Sequence, residues 1–177
     1  DVTVKATVKD ANGDVYSTGI TGDLTSNVTL DMSGDGADTA SEKTLIFGTS
    51  TAAGKYTIEI TATYDGKANV IATVPFEVLP KQATETAPTF TGTVTGGTTK
   101  VKEITTSMFS PVNSSYTITS LVVKVDGVEL VSGADLLYVI QSGSTVMADV
   151  TVTAAENYSF GDGMNTHVFK DVSITVS

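Results

Sequence analysis

The chain of 177 residues contains no cysteine, no tryptophan and no arginine, and only one histidine. Without cysteine there can be no disulfide, no thiolate zinc site and no thiol nucleophile. All ten basic residues are lysine and stand against twenty Asp and Glu, a net charge of -10. Phosphate backbones are gripped by basic clusters and bidentate arginine forks, so this composition excludes nucleic acid from the expected partners. No apolar run approaches the roughly eighteen residues that a membrane helix needs, so no membrane span is expected. His167 is too solitary for a histidine metal cluster, and no serine sits in a Gly-x-Ser-x-Gly elbow that would pair with it in a triad. His167 is therefore read as a strand histidine near a turn. With no tryptophan, the stacking platforms of sugar binders would fall to Tyr16, Tyr116, Tyr138 and Tyr158, which mostly lie on apolar strand faces and read better as core.

What is present is a chain that is 40% hydrophobic and rich in Thr, Val, Ser, Gly and Ala, enough apolar material to fold. Its pattern alternates. Val2, Val4, Ala6 and Val8 interleave with Thr3, Lys5, Thr7 and Lys9, a period of two that turns one face inward, and Asn12-Gly13 supplies a turn. Shorter strands are expected over 15–20, 28–32 and 44–47. Tyr56, Ile58, Ile60, Ala62 and Tyr64 share a face up to the Asp65-Gly66 turn, and Val70, Ala72, Val74, Phe76 and Val78 share one on the way back, a hairpin expected at the centre of a sheet. Pro75 has the opposite parity and is expected at an edge or bulge, where a missing N–H is tolerated.

The alternation stops at Leu79 to Pro88, LPKQATETAP, which carries two of the four prolines and no large apolar residue after Leu79. It reads as a linker over 80–88 between two β domains, 1–79 and 89–177. In the second domain, strands are expected over 90–94 and 100–105 around Gly96-Gly97, over 116–125 and 128–131 around Asp126-Gly127, and over 136–140 and 145–154. A final strand aligns Val168, Val172, Ile174 and Val176, with Lys170 breaking its apolar face. No stretch shows a sustained period of 3.6, so the fold class is all-β. The chain reads as a piece of a longer protein, with strand-like text at both ends.

Ala53-Gly54-Lys55-Tyr56-Thr57-Ile58-Glu59-Ile60-Thr61-Ala62 resembles the late strand of bacterial immunoglobulin-like domains, in which Gly-x-Tyr-x-apolar-x-apolar follows a short turn. The run Val150 to Gly163, with Asn157-Tyr158-Ser159-Phe160 before a Gly/Asp turn, resembles a phrase of repeated β modules in large Gram-positive surface proteins. Together these resemblances imply two small immunoglobulin-like β-sandwiches and a type of protein, without an activity. They suit a non-catalytic structural or interaction module of a bacterial cell-surface protein: an S-layer, an adhesin stalk or a wall-anchored repeat protein. Its partners would be other copies or neighbouring domains of the same protein, and its location extracellular, at the cell surface or wall. The alternatives are a module binding carbohydrate or a host protein, and an accessory β domain of a secreted enzyme.

Three Asp-bearing loops place side-chain oxygens close together on Gly-containing backbone, as a hard cation such as Ca²⁺ requires: Asp10-x-Asn12-Gly13-Asp14, Asp31 to Asp38, and Asp162-Gly163-x-Asn165. None follows the twelve-residue calcium loop with its final Glu, and turns use the same residues. Asp31, Asp35 and Asp38 are the candidate metal ligands, because three carboxylates so close together repel one another without a cation. Lys170, with Glu129 and Asn157, is the set from which an intramolecular isopeptide bond would have to be drawn, but a lysine carrying its charge to water along an apolar stem is the simpler reading.

Overall fold

Period-two alternation decides most of the observed architecture. A computed structural model describes residues 2–22, 28–30, 44–48 and 50–177. It is all-β, with several sheets and, among the described residues, no helix of seven or more residues. The chain divides into two compact units, Asp1–Pro80 and Lys81–Ser177.

The first unit contains β1 (Val2–Lys9), β2 (Ile20–Gly22), β3 (Val28–Leu30), β4 (Leu45–Phe47), β5 (Gly54–Tyr64) and β6 (Lys67–Val78). Its main sheet runs β3-β1-β5-β6 with antiparallel neighbours, and β2 pairs with β4 separately. The expected β5–β6 hairpin forms around Asp65 and Gly66, both at positive φ. It is not the centre of the sheet, because β6 is the edge strand. That position explains Pro75, which faces Thr57 and has no N–H to give. Ile71 is an extra residue on β6, between the pairs Ile60↔Ala72 and Thr61↔Val70. Such a bulge, with the proline, blunts an edge that would otherwise invite another strand.

One end of the apolar face is covered: Val8, Ile20 and Tyr56 are buried, with Tyr16, Leu45, Ile58, Phe76 and Val78 packed on them. Ring contacts run from Tyr16 to Tyr56 (4.9 Å), Tyr56 to Phe76 (5.5 Å) and Phe76 to Phe47 (4.8 Å). Towards the other end Val4, Ala6, Ile60 and Ala62 are half-buried, and Tyr64, Ile71 and Val74 are exposed.

The second unit contains β7 (Lys81–Gln82), β8 (Thr89–Phe90), β9 (Phe109–Ser110), β10 (Tyr116–Val125), β11 (Val128–Leu130), β12 (Val146–Ala154), β13 (Tyr158–Ser159) and β14 (Thr166–Ile174). Its main sheet is β11-β10-β12-β14, antiparallel throughout, while β7 pairs parallel with β13 and β8 antiparallel with β9. The core is the inner face of this sheet, with Tyr116, Val123, Val125, Val146, Ala148, Val150, Val152 and Phe169, closed by Ile140 and Phe160.

Four expectations fail in this unit. Most of the stretch 80–88, read as a linker, is built into it. Lys81 N–H donates to Asn157 O (2.8 Å) and Ala83 N–H to Ser159 O (2.7 Å), Ala83 is buried, and the Tyr116 hydroxyl donates to Thr86 O (3.0 Å). This attachment runs through backbone and small side chains, so it leaves no apolar alternation to read. The expected strand over 100–105 is instead a 3₁₀ turn, Val101–Glu103, in which Lys100 N–H donates to the Glu103 carboxylate and Val101 and Ile104 are both buried. Their spacing of three is the period of that helix. The expected strand over 136–140 begins inside another 3₁₀ turn, Gly133–Leu137, and of its residues only Ile140 is buried.

The fourth failure is the parity of β14. Between Ala148↔Val172 and Val150↔Phe169 the strand carries an extra residue, and Asp171 has φ 54°. This bulge puts Phe169, Val172 and Ile174 inward together and leaves Val168 41% exposed, so Lys170 interrupts nothing.

Candidate functional site

The bulge on β14 creates the most charged local arrangement among the described residues. Asp149 is the lone acid within β12, on the face opposite Ala148 and Val150, and its side chain is only 7% exposed. It sits beside the bulge at Lys170 and Asp171. Lys124 Nζ donates to its Oδ1 (2.7 Å), Lys170 Nζ to its Oδ2 (2.8 Å) and Asp171 N–H to its Oδ1 (3.0 Å). Lys124 also reaches Asp171 Oδ1 at 2.9 Å. Burial alone would raise the Asp149 pKa. The hydrogen bonds from Lys124, Lys170 and the Asp171 N–H outweigh it and hold the carboxyl well below the usual range. Hydrogen bonds to Asp149 and then Asp171 push Lys124 up, against its own desolvation.

This geometry bears on isopeptide chemistry. Joining a lysine amine to a carboxyl as an amide needs both groups neutral, and here Asp149 and Lys124 hold each other charged. The arrangement is an ion-paired clasp that fixes the bulge. Lys170 meets Asp149, not Glu129 or Asn157, with its own side chain 69% exposed. Sequence reasoning missed Asp149, although a single charge inside Val-Met-Ala-Asp-Val-Thr-Val was a visible signal.

The acidic loops divide. In the first, Asp10 Oδ1 accepts the N–H groups of Asn12 (2.9 Å) and Asp14 (3.0 Å), and Gly13 N–H closes onto Asp10 O. In the third, Asp162 Oδ1 accepts Met164 N–H at 2.9 Å. Both carboxylates are used as turn acceptors. Asp31, Asp35 and Asp38 lie outside the described residues. Among the described residues, no group of three or more His, Asp or Glu side chains is placed to hold a metal ion.

His167 packs between Phe160 (5.2 Å, tilted) and Phe169 (4.7 Å, edge-on), a position at the core's margin. Of the tyrosines weighed as sugar platforms, Tyr116 is buried in the core, Tyr16 and Tyr158 are half-buried, and Tyr138 is exposed. Tyr16 and Tyr56 straddle one residue, since Ala52 N–H donates to the Tyr16 hydroxyl (3.0 Å) and the Tyr56 hydroxyl donates to Ala52 O (2.8 Å). Burial, then the hydrogen bond and charge of Tyr16, then Asp10, push the Tyr56 pKa up to about 12.

The class these observations define is an all-β protein whose charged and aromatic groups serve mainly to close turns and fix strands. No family model, characterised protein or solved structure matches the chain.

Proposed function

We propose that the chain is a non-catalytic structural and interaction module of a bacterial cell-surface protein, such as an S-layer, an adhesin stalk or a wall-anchored repeat protein. In this reading the two units are immunoglobulin-like sandwiches, and the partners are other copies or neighbouring domains of the same protein, outside the cell. The observation that supports it is how the reactive groups are used. Asp149 holds a bulge, Asp10 and Asp162 close turns, and His167 packs between rings. Groups committed in this way stabilise a scaffold.

An antibody raised against the chain tests the location. The expected outcome is labelling of intact source cells and loss of the epitope when protease is added outside them. An antigen that is protected until the cells are lysed and recovered in the cytosol overturns the reading.

A further inference from the structure

The strongest unassigned feature is a groove of about 360 Å³ in the second unit, beside the point where β11 ends. The β10–β11 turn has two central residues, Asp126 at φ 51° and Gly127 at φ 83°, the pairing that suits the twist of a tight hairpin. In such a hairpin the closing pair, Val125↔Val128, exchanges both main-chain hydrogen bonds. Val123↔Leu130 is the next pair to do so. The same period of two points the N–H and C=O of Leu121 to the side where β11 would continue. β11 does not continue, because its ladder stops at Leu130 and the chain turns away through the Gly133–Leu137 turn.

Leu121 itself lines the groove. Its apolar lining includes Ile104, Leu121, Leu130 and Leu136, with Thr105 and Thr106 at the side. Lys102 is the one charged residue lining it, is exposed, and has no carboxylate partner among the described residues. Exposed Val131 also lines it, and exposed Leu137 lies beside the lining in sequence.

We infer that this groove takes an extended peptide strand of alternating apolar and acidic residues. The strand adds to β10 in line with β11. Its main chain bonds to Leu121, an apolar side chain enters the lining, and a carboxylate meets Lys102. Strand addition draws affinity from main-chain hydrogen bonds and specificity from alternate side chains, and a free edge beside an apolar trough provides for both. The charge argument selects the acidic partner, since the one lysine lining the groove attracts a carboxylate and repels a second lysine.

The inference goes beyond the scaffold reading and fails separately from it, because a groove that binds nothing leaves the location experiment untouched. The test uses the full chain labelled with ¹⁵N. It is titrated with a capped octapeptide alternating valine and glutamate, and separately with its valine and lysine counterpart. The expected result is shift changes centred on the amides of Leu121, Leu130 and Leu136, with several-fold tighter binding of the glutamate peptide. Lys102→Glu, an exposed change that leaves the core intact, should reverse the preference. Equal binding of both peptides, or no change at Leu121 at millimolar peptide, overturns the inference. So does concentration-dependent shifting of the same amides without peptide, which would assign the groove to a second copy of the chain.

Discussion

The two units start from the same kind of sequence, long strands alternating Val or Ile with Thr, and end with very different interiors. Among the described residues the first unit buries three hydrophobic residues in its cluster, Val8, Ile20 and Tyr56, and the second buries seventeen. Strand length does not account for this, because β5 and β6 are the longest strands in the structure. What differs is the cover. In the second unit the apolar face of the main sheet meets β8, β9, the 3₁₀ turn at Val101–Glu103 and the ring of Phe160. In the first, among the described residues, Tyr16, Ile20 and Leu45 cover one end and the rest is half-buried or exposed. Alternation makes a face, and burial requires something to place on it.

The largest effect that can sharpen this contrast is core truncation. Phe160→Ala should cost about 4 kcal/mol and Ile60→Ala about 1 kcal/mol, as expected for a sealed and an open site. Because the chain has two units, the measurement is residue-resolved hydrogen exchange and not a single melting temperature. Amides of β12 should exchange last and those of β6 early. Equal costs at the two positions would break the comparison.

The next effect separates the units by pH. The Asp149 carboxyl is depressed in the folded state, so its stabilisation is present above the unfolded value of 3.8 and is lost as the pH falls through the folded one. Asp149→Ala should cost the second unit about 2 kcal/mol at neutral pH, since it removes the buried acceptor shared by Lys124, Lys170 and the Asp171 N–H. It should also flatten the acid limb. Tyr56 works in the opposite direction. With its pKa raised from 10.0 to about 12, its contribution is present below 10.0 and is lost as the pH rises through the folded value. Tyr56→Phe should therefore flatten the alkaline limb of the first unit. Lys124, also raised in the folded state, gives the second unit an alkaline slope of its own above 10.5, so the acid limb is the discriminating one. The measurement is urea unfolding at stepped pH, and an unchanged acid limb in Asp149→Ala removes the clasp from the account.

The smallest effect is at the edge of the first unit. Ile71 and Val74 are 59% and 48% exposed, and replacing either with Thr should shift stability by no more than about 0.5 kcal/mol. A loss of about 2 kcal/mol, the size of a buried truncation, would show that this part of the face is covered in solution.

Much of the fold was legible because a strand's period is local. The β1 and β5–β6 alternations, the Asp65-Gly66 and Asp126-Gly127 turns and the edge position of Pro75 all follow from residues close to one another in the chain. Less of the site was legible. Asp10 and Asp162 were visible as oxygen-bearing loops, but nothing in their spacing told whether the oxygens face a cation or their own turn. Asp149 carried a signal only as an odd charge in a strand. Its three donors come from positions 124, 170 and 171, and only pairing β10, β12 and β14 brings them together.

The sequence by itself determined the all-β class, the main hairpins, and the exclusion of disulfide and thiol chemistry, because backbone period, turn geometry and residue chemistry act over a few positions. Tertiary structure alone decided that 81–88 joins the second unit, that 101–103 coils as a turn, and that Phe169 and not Val168 enters the core. Each of those outcomes depends on a partner far away in the chain: a β13 carbonyl, a neighbouring buried wall, or a carboxylate that stabilises one extra residue in a strand. Alternation records which side chains can share a face, and long-range hydrogen bonds and packing choose which face is buried.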